Sequence, residues 1–158
     1  MKVACDDVTT IFVDGEQKTV AGTGYYGHLA TLQIPASTGA VGIKCHNTGG
    51  ASGIMAQVQD LAGNVITVTD SSWKCTNQLQ DGWSTAGFSE GDNWKPARLL
   101  NGVTMYLTTQ RFAWNRGLSP KRKVIWTENA YNKVVYCRKV LPRTQAGRLL
   151  SQYPNITS

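Results

Sequence analysis

No apolar run in the sequence approaches the ~20 residues a membrane-spanning helix needs. The N-terminal MKVACDDVTT also lacks the apolar stretch of roughly 7–15 residues found in secretory leaders. Charge is scarce: charged residues make up 16% of the chain and apolar residues 41%, the reverse of the balance expected for a disordered chain. Histidine occurs twice and no two cysteines form a CxxC pair, so the usual zinc-ligand patterns are missing. There is no G-x-S-x-G elbow, Cys–His signature, helix-turn-helix, RNP motif or zinc finger. These absences argue against an enzyme and against nucleic acid as a partner.

What is present points to strands. Sixteen Gly accompany five Trp and six Tyr, a mixture suited to short strands and tight turns. The 158 residues suffice for one domain with one core. Val8–Val13 and Glu16–Val20 flank Asp14-Gly15, a strong hairpin signal because both turn residues tolerate positive φ. Leu29–Ile34 and Val41–His46 alternate apolar and polar residues, as half-buried strands do. Ile54–Gln59, Val65–Thr69, Trp73–Cys75, Val103–Thr108, Val124–Thr127 and Lys133–Leu141 continue the series. Trp73 and Trp126 fall within strands and read as core. Residues 77–101 form a long irregular stretch, either functional or packed by its own aromatics. The pattern predicts an all-β sandwich or barrel over residues 1–142, with a tail over 143–158.

Net charge is +6 and unevenly spread. Residues 95–158 hold twelve basic side chains against Glu128 alone, whereas residues 1–94 are net acidic. An excess of this kind attracts polyanions such as sulfated glycans, unless the two halves intermix on folding. Cys5, Cys45, Cys75 and Cys137 are even in number and well separated, which suits two disulfides in an oxidising compartment; the alternative is four buried thiols. Either the protein is cytosolic, or a leader has been removed and Met1 added. The cysteines favour the second and thus secretion. Asn155-Ile156-Thr157 adds an N-glycosylation acceptor pattern.

In chain order, CDDVTTIFVDGE, VGIKCHNTGGASGIMAQV, VTDSSWKC, GWSTAGFSEGDNWKPA and VIWTENAYNKVVYCRKVL resemble the galactose-binding-like domain, an antiparallel jelly-roll β-sandwich. Relatives of that type occur in secreted marine-invertebrate proteins and as carbohydrate-binding modules of bacterial glycoside hydrolases. The resemblance spans roughly residues 3–141. It implies a non-catalytic, lectin-like extracellular domain holding glycan in loops at one end of the sandwich. It also implies inward packing for Trp83 and Trp94. Some members carry structural calcium. Here the usual acidic pair after "GF" is replaced by Ser89-Glu90-Gly91-Asp92, so no cofactor is expected and calcium stays a candidate. Asp6-Asp7 are either calcium ligands or caps for loop amides.

Sugar rings stack their C–H faces on exposed aromatics, while their hydroxyls want fixed polar groups. Two loops meet that need: Tyr25, Tyr26 and His28 in one, and Arg111, Trp114, Asn115 and Arg116 in the other. The rival reading is a structural or adhesive matrix protein whose basic face grips sulfated polysaccharide, mineral or protein. Of the three possible disulfide pairings, the preferred one joins Cys45 to Cys75, one hairpin apart, and Cys5 to Cys137, tying the ends of the fold.

Overall fold

The computed structural model describes residues 1–20, 29–100 and 117–143. Among these residues the chain forms twelve strands arranged as two antiparallel sheets. The first sheet contains β1 (Lys2–Asp6), β4 (Ala30–Thr31), β6 (Gly53–Gln59), β10 (Arg98–Leu99) and β11 (Ile125–Trp126), ordered β10-β11-β6-β1-β4. Strand β7 (Val65–Val68) also pairs with β6. The second sheet contains β2 (Val8–Val13), β3 (Glu16–Lys18), β5 (Ala40–His46), β8 (Lys74–Thr76), β9 (Lys95–Pro96) and β12 (Val134–Val140), ordered β3-β2-β5-β12-β8-β9.

The alternation read from the sequence sets the faces. In β5, Val41, Ile43 and Cys45 are fully buried and meet Val3, Ile54, Trp73, Ile125 and Val135 in the inter-sheet core. The β2–β3 hairpin turns at Asp14 (φ 47°) and Gly15 (φ 87°), both in the left-handed region that Asp-Gly tolerates. The Asp14 carboxylate accepts from the amides of Gly39 and Ala40, each at 2.9 Å, tying the hairpin to the start of β5.

Several expectations need correction. Strand β1 was missing from the sequence reading. It is a central strand buried at four of five positions, so it shows no polar–apolar alternation. The strand expected over Leu29–Ile34 shrinks to Ala30–Thr31, and that over Val124–Thr127 to Ile125–Trp126. The irregular stretch 77–101 contains the short strands β9 and β10. Val103–Thr108 and residues 144–158 of the expected tail lie outside the described residues.

The disulfides differ from the preferred pairing: Cys5 joins Cys45, and Cys75 joins Cys137. The order β5-β12-β8 explains why. Cys45 and Cys75 sit two strands apart, about 10 Å, which is beyond disulfide reach. Cys75 instead lies directly opposite Cys137 in the neighbouring strand. Cys5, on the first sheet, faces Cys45 on the second across the core, with 5.9 Å between their Cα atoms.

The second sheet is covered on its outer face as well. Trp83, Trp94 and Tyr136 form a separate buried cluster with Phe12, Phe88 and Val134. Trp83 and Trp94 are therefore buried, but on the outer face of a sheet rather than between the sheets. Their rings stack at 6.0 Å, and Tyr136 meets Trp83 edge-on. Gly42 makes room for this: a Cβ there would lie 2.7 Å from the Trp83 ring. Arg138, 2% exposed, clamps the loop from β12. Its Nε donates to the Trp83 carbonyl and one Nη to the Thr85 carbonyl, each at 2.6 Å, while the other Nη pairs with Glu90. Residues 77–94 are thus held against the sheet, and this fixes the groove described next.

Candidate functional site: an amide-lined groove

At the end where β8 finishes and β12 begins, three segments converge on a groove of about 280 Å³. They are residues 75–78, residues 93–96 and residues 127–132. Asparagine and glutamine dominate its polar lining. Their carboxamides are held in a relay. Asn77 Nδ2 donates to Asn132 Oδ1 at 3.3 Å, and Asn132 Nδ2 donates to Thr127 Oγ1 at 2.9 Å. The Thr127 hydroxyl donates onward to the Asn129 carbonyl at 3.1 Å. On the opposite wall, Asn93 Nδ2 donates to Gln80 Oε1 at 3.1 Å and to Gln78 Oε1 at 3.4 Å. Gln80 is itself fixed by the Trp94 indole N–H at 2.6 Å, so the aromatic cluster sets the groove's polar wall.

This arrangement leaves hydrogen-bonding capacity unused. Among the described lining carboxamides, Asn77 Oδ1, Asn93 Oδ1, Gln78 Nε2 and Asn129 Nδ2 have no partner, which offers two acceptors and two amide donor groups. Lys95 and Glu128 line the groove with opposite charges. Two exposed apolar side chains stand beside it in sequence. Tyr131, 93% exposed, is in the Asn129–Asn132 turn, and Leu79, 65% exposed, lies between Gln78 and Gln80. The Tyr131 amide donates to Asn129 Oδ1 at 2.9 Å, which orders the turn that presents the ring.

The neighbouring loop is held by the acid pair. Asp7 accepts from the Thr48 amide at 2.7 Å and the Thr48 hydroxyl at 2.6 Å. Burial pushes the Asp7 carboxyl up, but the Thr48 and Asp6 hydrogen bonds outweigh it and hold the group below its usual range. Asp6 is pushed up to about 7 by burial first, then by its hydrogen bond to Asp7 and by Asp7's charge. The Asn47 amide donates to the Lys133 carbonyl at 2.7 Å, so this loop backs the turn carrying Tyr131. Asp7 thus caps a loop amide, the second of the two roles expected of the pair, while Asp6 is hydrogen-bonded to Asp7. Glu90 is engaged by Arg138. Among the described residues, His, Cys, Asp and Glu nowhere gather in a group of three or more that could hold a metal ion.

The expected contact residues Tyr25, Tyr26, His28, Arg111, Trp114, Asn115 and Arg116 all lie outside the described residues. The amide groove was not anticipated, although two signals for it stood in the sequence: the Asn/Gln-rich loop 77–93, and an aromatic set between asparagines in Asn129-Ala-Tyr-Asn132.

Fold and site together define an all-β, two-sheet antiparallel sandwich with two disulfides and a polar, amide-lined groove at one end. Among the described residues no helix is long and apolar enough to cross a membrane. No family model, curated protein or solved structure matches the chain.

Proposed function

We propose that the chain is a non-catalytic, lectin-like carbohydrate-binding domain that works outside the cell, and that the amide groove takes a neutral sugar unit. The observation that carries this reading is the set of hydrogen-bonded carboxamides lining the groove, with the exposed Tyr131 in the turn between the lining residues Asn129 and Asn132. Carboxamides both donate and accept, as paired sugar hydroxyls require, and a tyrosine face suits the C–H side of a pyranose. Lys95 and Glu128 leave the lining without net charge, which favours a neutral ligand. Glycoside hydrolysis uses two carboxyl groups, and Glu128 is the sole carboxylate among the described lining residues, which supports binding without catalysis. The two disulfides accord with an oxidising compartment and hence with secretion. The ordered run of galactose-binding-like segments supports reading the sandwich as a jelly roll of that type.

A glycan array run at low and high salt tests the reading. Neutral glycans should bind with little dependence on salt. Tyr131→Ala should weaken the best hit about 10-fold or more, equivalent to about 1.4 kcal/mol, and Asn77→Ala should weaken it similarly. An array without neutral hits, or an unchanged Tyr131→Ala variant, would refute it.

A further inference from the structure

A second groove, of about 790 Å³, lies at the opposite end of β8 and β12. Its walls are β7, the turn carrying Asp70 and Ser72, the segment from Ser119 to Lys121, and the end of β12 through Pro142. We propose that this groove is a separate binding site for a sulfated polysaccharide. The proposal does not depend on the amide groove.

The cations come first. Lys139 projects into the groove with its Nζ donating to Ser72 Oγ at 2.6 Å. Ser72 is held in turn by Asp70, through its hydroxyl and, at 2.8 Å, through its amide. An ammonium has three N–H donors, so Lys139 keeps two for a ligand in a position already fixed. Fixing a lysine before binding lowers the ordering cost of the complex. Lys121 lines the same groove.

The groove is only partly neutralised from within. Among the described residues neither Lys121 nor Lys139 is ion-paired, whereas Lys18 pairs with Glu16 and Arg138 with Glu90. All ten acidic side chains of the sequence fall within the described residues. The lining holds one acid, Asp70, linked to Lys139 through the Ser72 hydroxyl, so the two lysines leave it with net positive charge. Arg122, Lys123 and Arg143 adjoin the lining residues in sequence and reinforce the positive field.

The remaining walls indicate what carries the anion. Val65 and Val140 are about half exposed (48% and 47%), and with Pro142 they offer apolar surface to the C–H faces of sugar rings. Ser72, Ser119 and Thr67 add hydroxyls. No aromatic side chain is present among the described lining residues, whereas grooves for single-stranded nucleic acid rely on stacked aromatics. The volume exceeds what a lone sulfate would fill and lies within the ~300–1,000 Å³ of organic ligand sites.

The test uses the intact protein and a size-defined heparin hexasaccharide, with titrations in 50 and 300 mM NaCl. Binding should weaken at least 10-fold at the higher salt. The Lys121→Gln/Lys139→Gln double variant should lose at least 10-fold in affinity with an unchanged melting temperature. A charge-matched control, Lys44→Gln/Lys133→Gln, removes two cations remote from the groove and should lose less than 3-fold. Desulfated heparin should not bind. Equal losses in the two double variants would assign binding to overall charge and overturn the proposal. So would absence of heparin binding, equal binding of desulfated heparin, or equally tight groove-dependent binding of single-stranded DNA or anionic vesicles.

Discussion

Asp6 and Asp7 are adjacent and hydrogen-bonded, yet their proton affinities move in opposite directions. Asp7 keeps its charge because Thr48 donates to it twice. Asp6, almost wholly buried beside that charge, holds its proton up to about pH 7. In the unfolded chain it would release the proton near pH 4. Between those values the native state binds one more proton than the unfolded state, so this group's contribution to stability falls as pH rises from about 4 to about 7 and stays low above. Asp7 works the other way: its contribution is present above the ordinary carboxylate range and is lost as acid protonates it. Asp6→Asn keeps a donor for Asp7 and removes the buried charge. It should stabilise the protein at pH 8 by about 1–2 kcal/mol, with solvent screening allowed for, and be near neutral at pH 4. Urea melts at the two pH values check this, and an equal effect at both would contradict the assignment.

At the scale of elements, the two disulfides do different jobs. Cys75–Cys137 joins neighbouring strands of one sheet, whereas Cys5–Cys45 staples the sheets face to face. The inter-sheet bond spans 40 residues, so loop closure alone predicts a loss of about 4 kcal/mol when both partners become alanine. A denaturant melt of the Cys5→Ala/Cys45→Ala variant measures it, and a loss below about 1 kcal/mol would mean the packed core holds the sheets without help. The pairing could not be read from the sequence because it depends on which strands become neighbours. The Asp14–Gly15 hairpin was legible because its φ requirement is written in two adjacent residues, and β5 was legible because one face is core while the other carries Lys44 and His46. Strand β1, buried at nearly every position, carries no such contrast. The amide groove draws on segments about fifty residues apart that the β12–β8 and β8–β9 pairings, together with the Arg138 clamp and the Trp83–Trp94 stack, bring to one sheet edge.

Over the whole molecule, the charge asymmetry of the sequence survives folding in one place. Acidic side chains cluster on the β2–β3 turn, the acid pair and the loop over the second sheet, while Lys121 and Lys139 share the groove at one end of β8 and β12. The amide groove lies at the other end and shares no lining residue with it. If both proposed sites operate, one chain bridges a neutral glycan and a polyanion, and the two bindings are independent because neither changes the other's walls. Heparin-coated beads carrying the protein should then retain a fluorescent neutral glycan chosen from the array. Lys121→Gln/Lys139→Gln should abolish retention by releasing the protein from the bead, and Tyr131→Ala should abolish it while leaving the protein bound. Raising salt should act as the lysine variant does, because screening reaches the ammonium contacts and spares the amide hydrogen bonds. A heparin hexasaccharide that displaces the neutral glycan from protein in solution would show that both ligands compete for one groove, and the bridging arrangement would fall.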